Sequence, residues 1–210
     1  MKKDGLLIVI SGPSGAGKGT ICKELLKNND DLYLSVSLTT RNPRKGEEEG
    51  KNYYFTSKDN FQKYIEKNDL LEYASVYGNY YGTPKSVVSK MLKEGKNVIL
   101  EIDIQGALKV KENFSEGVFI FILPPSMDEL KQRIINRGSE TPESLMTRFK
   151  SAYKEINYVS KYNYAVVNDQ VKVAAEKIES IIAAEKCRVD RIKENIFDSK
   201  EGIIHEQFYD

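Results

Sequence analysis

The run Leu6-Leu7-Ile8-Val9-Ile10, followed at once by Ser11-Gly12-Pro13-Ser14-Gly15-Ala16-Gly17-Lys18, constrains this chain more than any other stretch. Consecutive apolar residues rich in β-branching, without alternation, read as a strand buried on both faces, the kind that parallel sheets use. From about Lys18 to Lys27 the apolar positions Ile21, Leu25 and Leu26 recur at helical spacing, with Asn28 and Asn29 as stop signals. The order is therefore strand, glycine turn, helix. Gly12 through Lys18 fits G-x-x-x-x-G-K in the setting where that pattern has a mechanism. Curled backbone amides and a helix N-terminus make a seat for phosphate, and the lysine reaches the β- and γ-phosphates of a nucleoside triphosphate. Gly12, Pro13, Ser14, Gly15, Ala16, Gly17, Lys18, Gly19 and Thr20 are the expected contacts. The residue after the lysine is Gly19, where the pattern has Ser or Thr to hold magnesium, and Thr20 comes one step late, about 100° round the helix. Mg2+ is still expected with the triphosphate, whose own oxygens and water ligate it. No protein metal ligand is assigned.

Further strands are expected at Leu34–Leu38, Val98–Ile104, Val118–Leu123 and Tyr164–Val167, with helical patterns between most of them. Alternation of this kind predicts an α/β fold with an open parallel sheet flanked by helices. Thr83-Pro84 and Thr141-Pro142 each offer a capping hydroxyl before a proline at the first helical position, and Ser126-x-x-Glu129 reads as a capping box. Val171 to Ile196 carries a long amphipathic pattern for a C-terminal helix. Two stretches interrupt the alternation and look like insertions: residues 39 to about 82, rich in tyrosine, charge and glycine, and residues 133 to about 150, with arginines around Gly138 and Pro142. Glu101 and Asp103 close an apolar strand two residues apart, hence on one side of it, at the sheet edge where ligands bind. Carboxylates there need a cation, hydrogen-bond donors or water.

At 210 residues and 40% hydrophobic content, the chain can build one packed domain. The 32 Lys and Arg against 31 Asp and Glu leave +1, so no global field points to nucleic acid or a membrane surface as the main partner. Cys22 and Cys187 lack the spacing of a metal site and read as free thiols in a reducing compartment. The N-terminal apolar run is too short for a signal or a membrane span. The expectation is a soluble, cytoplasmic protein.

The segment Ser35-Val36-Ser37-Leu38-Thr39-Thr40-Arg41-Asn42-Pro43-Arg44 continues into Gly46-Glu47, Gly50 and Tyr53-Tyr54-Phe55. It resembles the monophosphate-binding signature of guanylate kinases. The family's remaining blocks follow in order: Gly78-Asn79-Tyr80-Tyr81-Gly82-Thr83, Glu101-Ile102-Asp103-Ile104-Gln105-Gly106, Arg137-Gly138 with Arg148, and Val167-Asn168-Asp169, so the likeness spans roughly residues 6 to 185. The resemblance implies a P-loop fold in which a core of about 1–37, 84–132 and 150–210 carries an inserted GMP-binding region at about 38–83 and a helical lid at about 133–149. It implies transfer of the γ-phosphoryl group of ATP to GMP, and to dGMP, with both inserted regions closing on the core when both nucleotides bind.

By the same resemblance Glu72 is the carboxylate that accepts the N1 hydrogen and 2-amino group of guanine, Asp103 also faces the base, and Ser37 and Thr83 supply hydroxyls, Ser37 at O6. Adenine would set a lone pair against that carboxylate and be rejected. Arg41, Arg44, Tyr53 and Tyr81 would hold the GMP phosphate, and Asn168 would lie near the adenine of ATP. Lys18, Arg41, Arg44, Arg133, Arg137 and Arg148 would cancel the repulsion between the two anions, the last three from the lid. Arg133 and Arg137 are four apart and would share a helix face; Gly138 and Pro142 then break the helix, and Arg148 returns from the next one. A phosphate acceptor with a second pKa of about 6 needs no general base, which suits a chain whose one histidine is His205, near its end.

Taken singly, these residues have plainer readings. Arg41 to Glu49 is a solvated loop, the tyrosines are packing, Glu72 is a surface group, the lid arginines pair with Glu140 or Glu143, and Asn168 makes a turn. Two other functions stay open: a catalytically silent guanylate-kinase-like module that binds peptides, and a kinase for another monophosphate, which the Gly19-Thr20 ending suggests.

Overall fold

A computed structural model describes residues 4–27, 29–76, 78–136 and 142–192. Strand β1 (Leu7–Ser11) runs into the glycine turn and helix α1 (Lys18–Leu25), then β2 (Leu32–Leu34), β3 (Leu38–Thr39) and β4 (Tyr54–Phe55). Helix α2 (Lys58–Glu66), the pair β5 (Leu70–Val76) and β6 (Asn79–Pro84), α3 (Lys85–Lys93), β7 (Asn97–Glu101) and α4 (Ile104–Asn113) follow. The chain continues through β8 (Val118–Leu123), α5 (Met127–Ile135), α6 (Pro142–Glu155), a 3-10 segment at Ile156–Lys161, β9 (Tyr164–Val167) and α7 (Val171–Lys186).

The five residues of β1 are all buried because the strand is central: the main sheet has the order β2-β7-β1-β8-β9, and every pair is parallel. Successive side chains alternate faces. Ile8 and Ile10 therefore pack with Ile21 and Leu25 of α1 and Ile178 of α7, while Leu7 and Val9 pack with Val88 of α3 and Val110 of α4. Each such side chain taken fully from water contributes about 1.5–3 kcal/mol. A second sheet, of order β4-β3-β6-β5, joins a parallel β3–β4 pair to antiparallel β3–β6 and β5–β6 pairs, and Phe61 of α2 fills its underside with Leu38 and Leu70. Leu130 and Ile134 of α5 meet Ala152 of α6 in a separate small cluster.

The α/β architecture with a helix-flanked parallel sheet is as expected, and Val118–Leu123 and Tyr164–Val167 are strands with the expected ends. Four local readings need correction. The expected strand Leu34–Leu38 is a passage between sheets, with β2 ending at Leu34 and β3 starting at Leu38. Thr83 does not cap a helix: β6 runs through Pro84, Pro84 is the N-cap of α3, and the Thr83 hydroxyl is spent on Glu72. The strand at Val98 stops at Glu101, and Asp103 caps α4, its Oδ1 accepting from the amides of Gln105 and Gly106 at 2.8 and 3.1 Å. The C-terminal helix ends at Lys186 rather than Ile196, with Cys187 as its C-cap. Ser126 does cap α5, accepting from the Glu129 amide, and Pro142 does open α6; Thr141 lies outside the described residues. No helix among the described residues is long and apolar enough to cross a membrane.

Candidate active site

At the carboxyl edge of the main sheet, against the second sheet and the last turns of α6, lies a cavity of about 450 Å3. Its floor is the turn after β1. Gly17, the N-cap of α1, has φ 93, a conformation few L side chains adopt, and a Cβ there would stand 2.2 Å from Asn168 Nδ2. Two constraints thus require glycine at one position. Asn168, 2% exposed, donates from Nδ2 to the Ala16 carbonyl at 2.8 Å, so it fastens the turn from behind. Gly12, Ser14, Gly15, Gly17, Lys18 and Gly19 line the cavity, whereas Pro13 and Ala16 support it and Thr20 points to solvent. Helix α1 has no side-chain cap at its N-terminus and no acid in its first turn, which leaves its positive end to whatever enters the cavity. Lys18 Nζ donates to the carbonyls of Gly12 and Pro13 at 2.7 and 3.2 Å.

Glu155, at the end of α6, also reaches this floor. Its carboxylate lies near Lys18 and the Ser14 amide, with the Ser151 hydroxyl at 3.4 Å. Burial raises its pKa, against the opposing pull of Lys18 and the Ser14 amide. Arg148, Ser151 and Glu155 stand three and seven residues apart on one face of α6 and all line the cavity. That spacing was a readable signal which sequence reasoning used for Arg148 alone. Glu101, at the end of β7, completes this side: a Cβ on Gly19 would lie 3.3 Å from each of its carboxylate oxygens. The described lining offers oxygen donors and neither thiol nor imidazole, a set that suits a hard cation such as Mg2+.

The opposite wall comes from the second sheet. Glu72 on β5 is 5% exposed and sits across from Thr83 of β6, whose hydroxyl donates to Glu72 Oε1 at 2.7 Å. The start of α4 makes room for it, since a Cβ on Gly106 would fall 2.5 Å from Glu72 Oε2. Burial above all, with Asp103 adding to it and Thr83 opposing, pushes the Glu72 pKa up to about 7. Ser37, Arg44, Tyr53, Tyr81 and Asp103 line the same space. Burial, then Glu101 and Tyr81, push the Tyr53 phenol up to about 12, so it remains a hydrogen-bond donor.

Arg41 stands just behind this wall. Its fork meets both oxygens of Glu47 at 2.9 Å, and its guanidinium lies 5.4 Å from the Tyr53 ring centre. Burial opposes the Arg41 charge, but Glu47 and Tyr81 outweigh it and raise its pKa. Burial likewise opposes the Glu47 charge, and Arg41 with the Arg44 amide brings its pKa down. Glu47 is a partner the sequence reading passed over as part of a charged loop. Of the three arginines expected in a lid, Arg148 lines the cavity, and Arg137 lies outside the described residues. Arg133 is turned elsewhere: Nε donates to Glu129 at 2.9 Å and both terminal nitrogens to the Asn168 carbonyl at 3.2 Å, tying α5 to the segment after β9. The sequence had suggested Glu140 or Glu143 as the alternative partners; Glu129 takes that place for Arg133.

Comparison with known proteins agrees with this geometry. The guanylate kinase family model matches residues 4–185. The chain is 76% identical over 206 residues to the guanylate kinase of Clostridium tetani, covering 98% of this chain and 99% of that one. It is 73% identical over 210 residues to that of Clostridium acetobutylicum, covering 100% of both. Among solved structures, the guanylate kinase from Anaplasma phagocytophilum superposes with a TM-score of 0.79 at 34% identity, covering 95% of this chain and 97% of that chain. A phosphate cradle and a buried carboxylate facing each other across one cavity, in a chain that matches the family along nearly its whole length, leave one assignment: this chain belongs to the guanylate kinase family.

Proposed function

We propose that this guanylate kinase transfers the γ-phosphoryl group of ATP to GMP, and to dGMP, giving ADP and GDP. The observation that carries the reading is the pairing of the Gly12–Lys18 turn with Glu72, which the buried Thr83 hydroxyl holds from behind, around a single cavity. In the ionised form Glu72 accepts the two adjacent donors of guanine, and adenine offers it a lone pair instead. Ser37 and Asp103 complete the base site, and Arg41, Arg44, Tyr53 and Tyr81 take the GMP phosphate by charge and directed donors. The ATP phosphates lie on the amides of the glycine turn, and Lys18 exchanges the carbonyls of Gly12 and Pro13 for phosphate oxygens. A GMP phosphate oxygen then attacks the γ-phosphorus in line while the bond to the ADP oxygen breaks, and no proton must be removed from the acceptor. Arg148, with Arg133 and Arg137 as the lid closes, holds the charge of the transferring group. Magnesium accompanying ATP would supply further neutralisation of the phosphate charge, beside what Lys18 and the arginines provide. Asn168 acts through the turn it fastens, beneath the adenosine half of ATP. We place the reaction in a reducing, cytoplasmic setting, which suits the exposed free thiol of Cys187.

A coupled assay comparing GMP, dGMP, AMP, UMP and CMP as acceptors tests the reading. GMP and dGMP are expected to be preferred by orders of magnitude, with Lys18→Ala lowering turnover by about a hundredfold or more and Glu72→Ala mainly harming GMP use. Preference for AMP, or no turnover with any acceptor, overturns it.

A further inference from the structure

Glu72 is carried by a strand that does not run evenly. The register of β5 against β6 shifts just before it: Leu70 pairs with Pro84 and Glu72 with Thr83, so two steps on β5 match one on β6. A bulge of this kind re-aims a side chain and interrupts the ladder that would otherwise hold it. A tie from α4 compensates. Residues three apart share a helix face, and Asp103, the N-cap, is followed at that spacing by Gly106 and Lys109. Gly106 makes room for the Glu72 carboxylate, and Lys109 reaches past it to β5. Its Nζ donates to the carbonyl of Tyr73, the residue after Glu72, at 2.5 Å and stands 4.5 Å from the centre of the Tyr73 ring. Carbonyl oxygen and ring face both attract a cation, so the ammonium is held in one place although Lys109 is exposed. One helix thus brings two opposite charges to bear on Glu72. Burial raises the Glu72 pKa most, Asp103 raises it further, and Lys109 lowers it. From β6 the partner is the Thr83 hydroxyl. Helix α3, whose Val88 shares an apolar cluster with Leu71 of β5, carries Lys85, Lys90 and Lys93.

We propose that Lys109 is a positioning residue for guanine recognition: latched onto Tyr73, its ammonium ties β5 to α4 and supplies the positive charge that keeps Glu72 ionised for the base. The inference rests on the reading of Glu72 as the guanine carboxylate. Only the ionised form accepts both guanine donors, since a protonated acid sets a hydrogen of its own against them. Lys109 acts through Glu72 and not on the nucleotide, because the cavity is lined by its neighbour Leu108 and not by Lys109 itself. Its influence therefore has a pH signature that a purely structural lysine lacks. Loss of the charge matters where Glu72 is partly protonated and fades where Glu72 is ionised in any case.

The test is calorimetric titration with GMP between about pH 6 and about pH 8.5. The phosphate of GMP and the lysines of α3 titrate alike in every arm, so differences between variants isolate Lys109. Lys109→Met, which keeps the length of the side chain and loses its charge, is expected to weaken GMP about two- to fivefold at or below about pH 7 and to approach the unaltered protein at about pH 8.5. Lys109→Arg, which keeps the charge, is expected to follow the unaltered protein throughout. In a Glu72→Gln background, Lys109→Met is expected to change GMP affinity no further, because the group it acts through is gone. A Lys109→Met profile that superimposes on the unaltered one overturns the proposal, and so does a loss of equal size at every pH, a loss that persists in the Glu72→Gln background, or a Lys109→Arg variant that behaves like Lys109→Met. If Glu72→Gln alone binds GMP as tightly as the unaltered protein, the reading of Glu72 itself has failed, a result separable from the failure of Lys109.

Discussion

Glu72 has the Thr83 hydroxyl as a donor at 2.7 Å, and Asp103 is close enough to disfavour its charge. Its pKa of about 7 in the fold against 4.5 in an open chain fixes the sign of its contribution. At pH below 4.5 the group is protonated folded and unfolded, and it costs nothing. Between the two values the native state holds the proton more tightly, so stability falls as pH rises, and above about 7 the full penalty of about 3 kcal/mol is present. Glu72→Gln is therefore expected to match the unaltered protein in urea unfolding at about pH 4 and to exceed it by about 1–3 kcal/mol at about pH 8. A stability difference that does not change with pH would show that this carboxylate is not desolvated. The same residue marks a limit of sequence reading. Glu72 lies in a run with no motif of its own, and only the family resemblance singled it out. Its burial depends on Gly106, a residue of another element that is distant in sequence and leaves room for it. Glu47 was unreadable for a related reason, since a charged loop looks alike whether its acids face water or an arginine fork.

The turn between β1 and α1 is the element in which sequence, geometry and chemistry agree most closely. Gly17→Ala would put a side chain into a positive-φ position and onto Asn168 Nδ2 at once. It is expected to lower stability by about 1–3 kcal/mol and to abolish ATP binding, read by thermal unfolding with and without nucleotide. Retained nucleotide-induced stabilisation in that variant would show that the turn is not the seat of the phosphates. The strands of the main sheet were legible where an apolar run was bounded by turn residues, as at Val118–Leu123. They were misread where the chain changes sheets: Leu34 to Leu38 is apolar enough for one strand, but β2 pairs with β7 and β3 with β4 and β6, and residues 35–37 bridge the gap. Likewise Thr83-Pro84 has the local look of a helix start, yet pairing with β5 keeps both residues in a strand and turns the threonine inward. In each case a long-range partner outweighed a local preference.

Across the molecule, the two proposed nucleotide sites are built on different sheets: the glycine turn on the parallel sheet, Glu72 and Thr83 on the antiparallel pair of the smaller one. Helices α5 and α6, which carry Arg133 and Arg148, meet each other through their own small cluster of Leu130, Ile134 and Ala152. Parts with separate cores can shift as bodies. Solution scattering is expected to give a smaller radius of gyration with GMP and a non-hydrolysable ATP analogue together than with neither, and an unchanged profile would rule out closure. The carboxylates already in place bear on how such a molecule fills. Glu47 occupies the Arg41 fork, and Glu155 lines the cavity near Lys18. Entry of a nucleotide is consequently an exchange of one anion for another, not an addition to bare positive charge. Affinity is then the margin between guest and incumbent, and dissolved salt, which screens both alike, shifts that margin less than a tally of cations around the cavity would suggest.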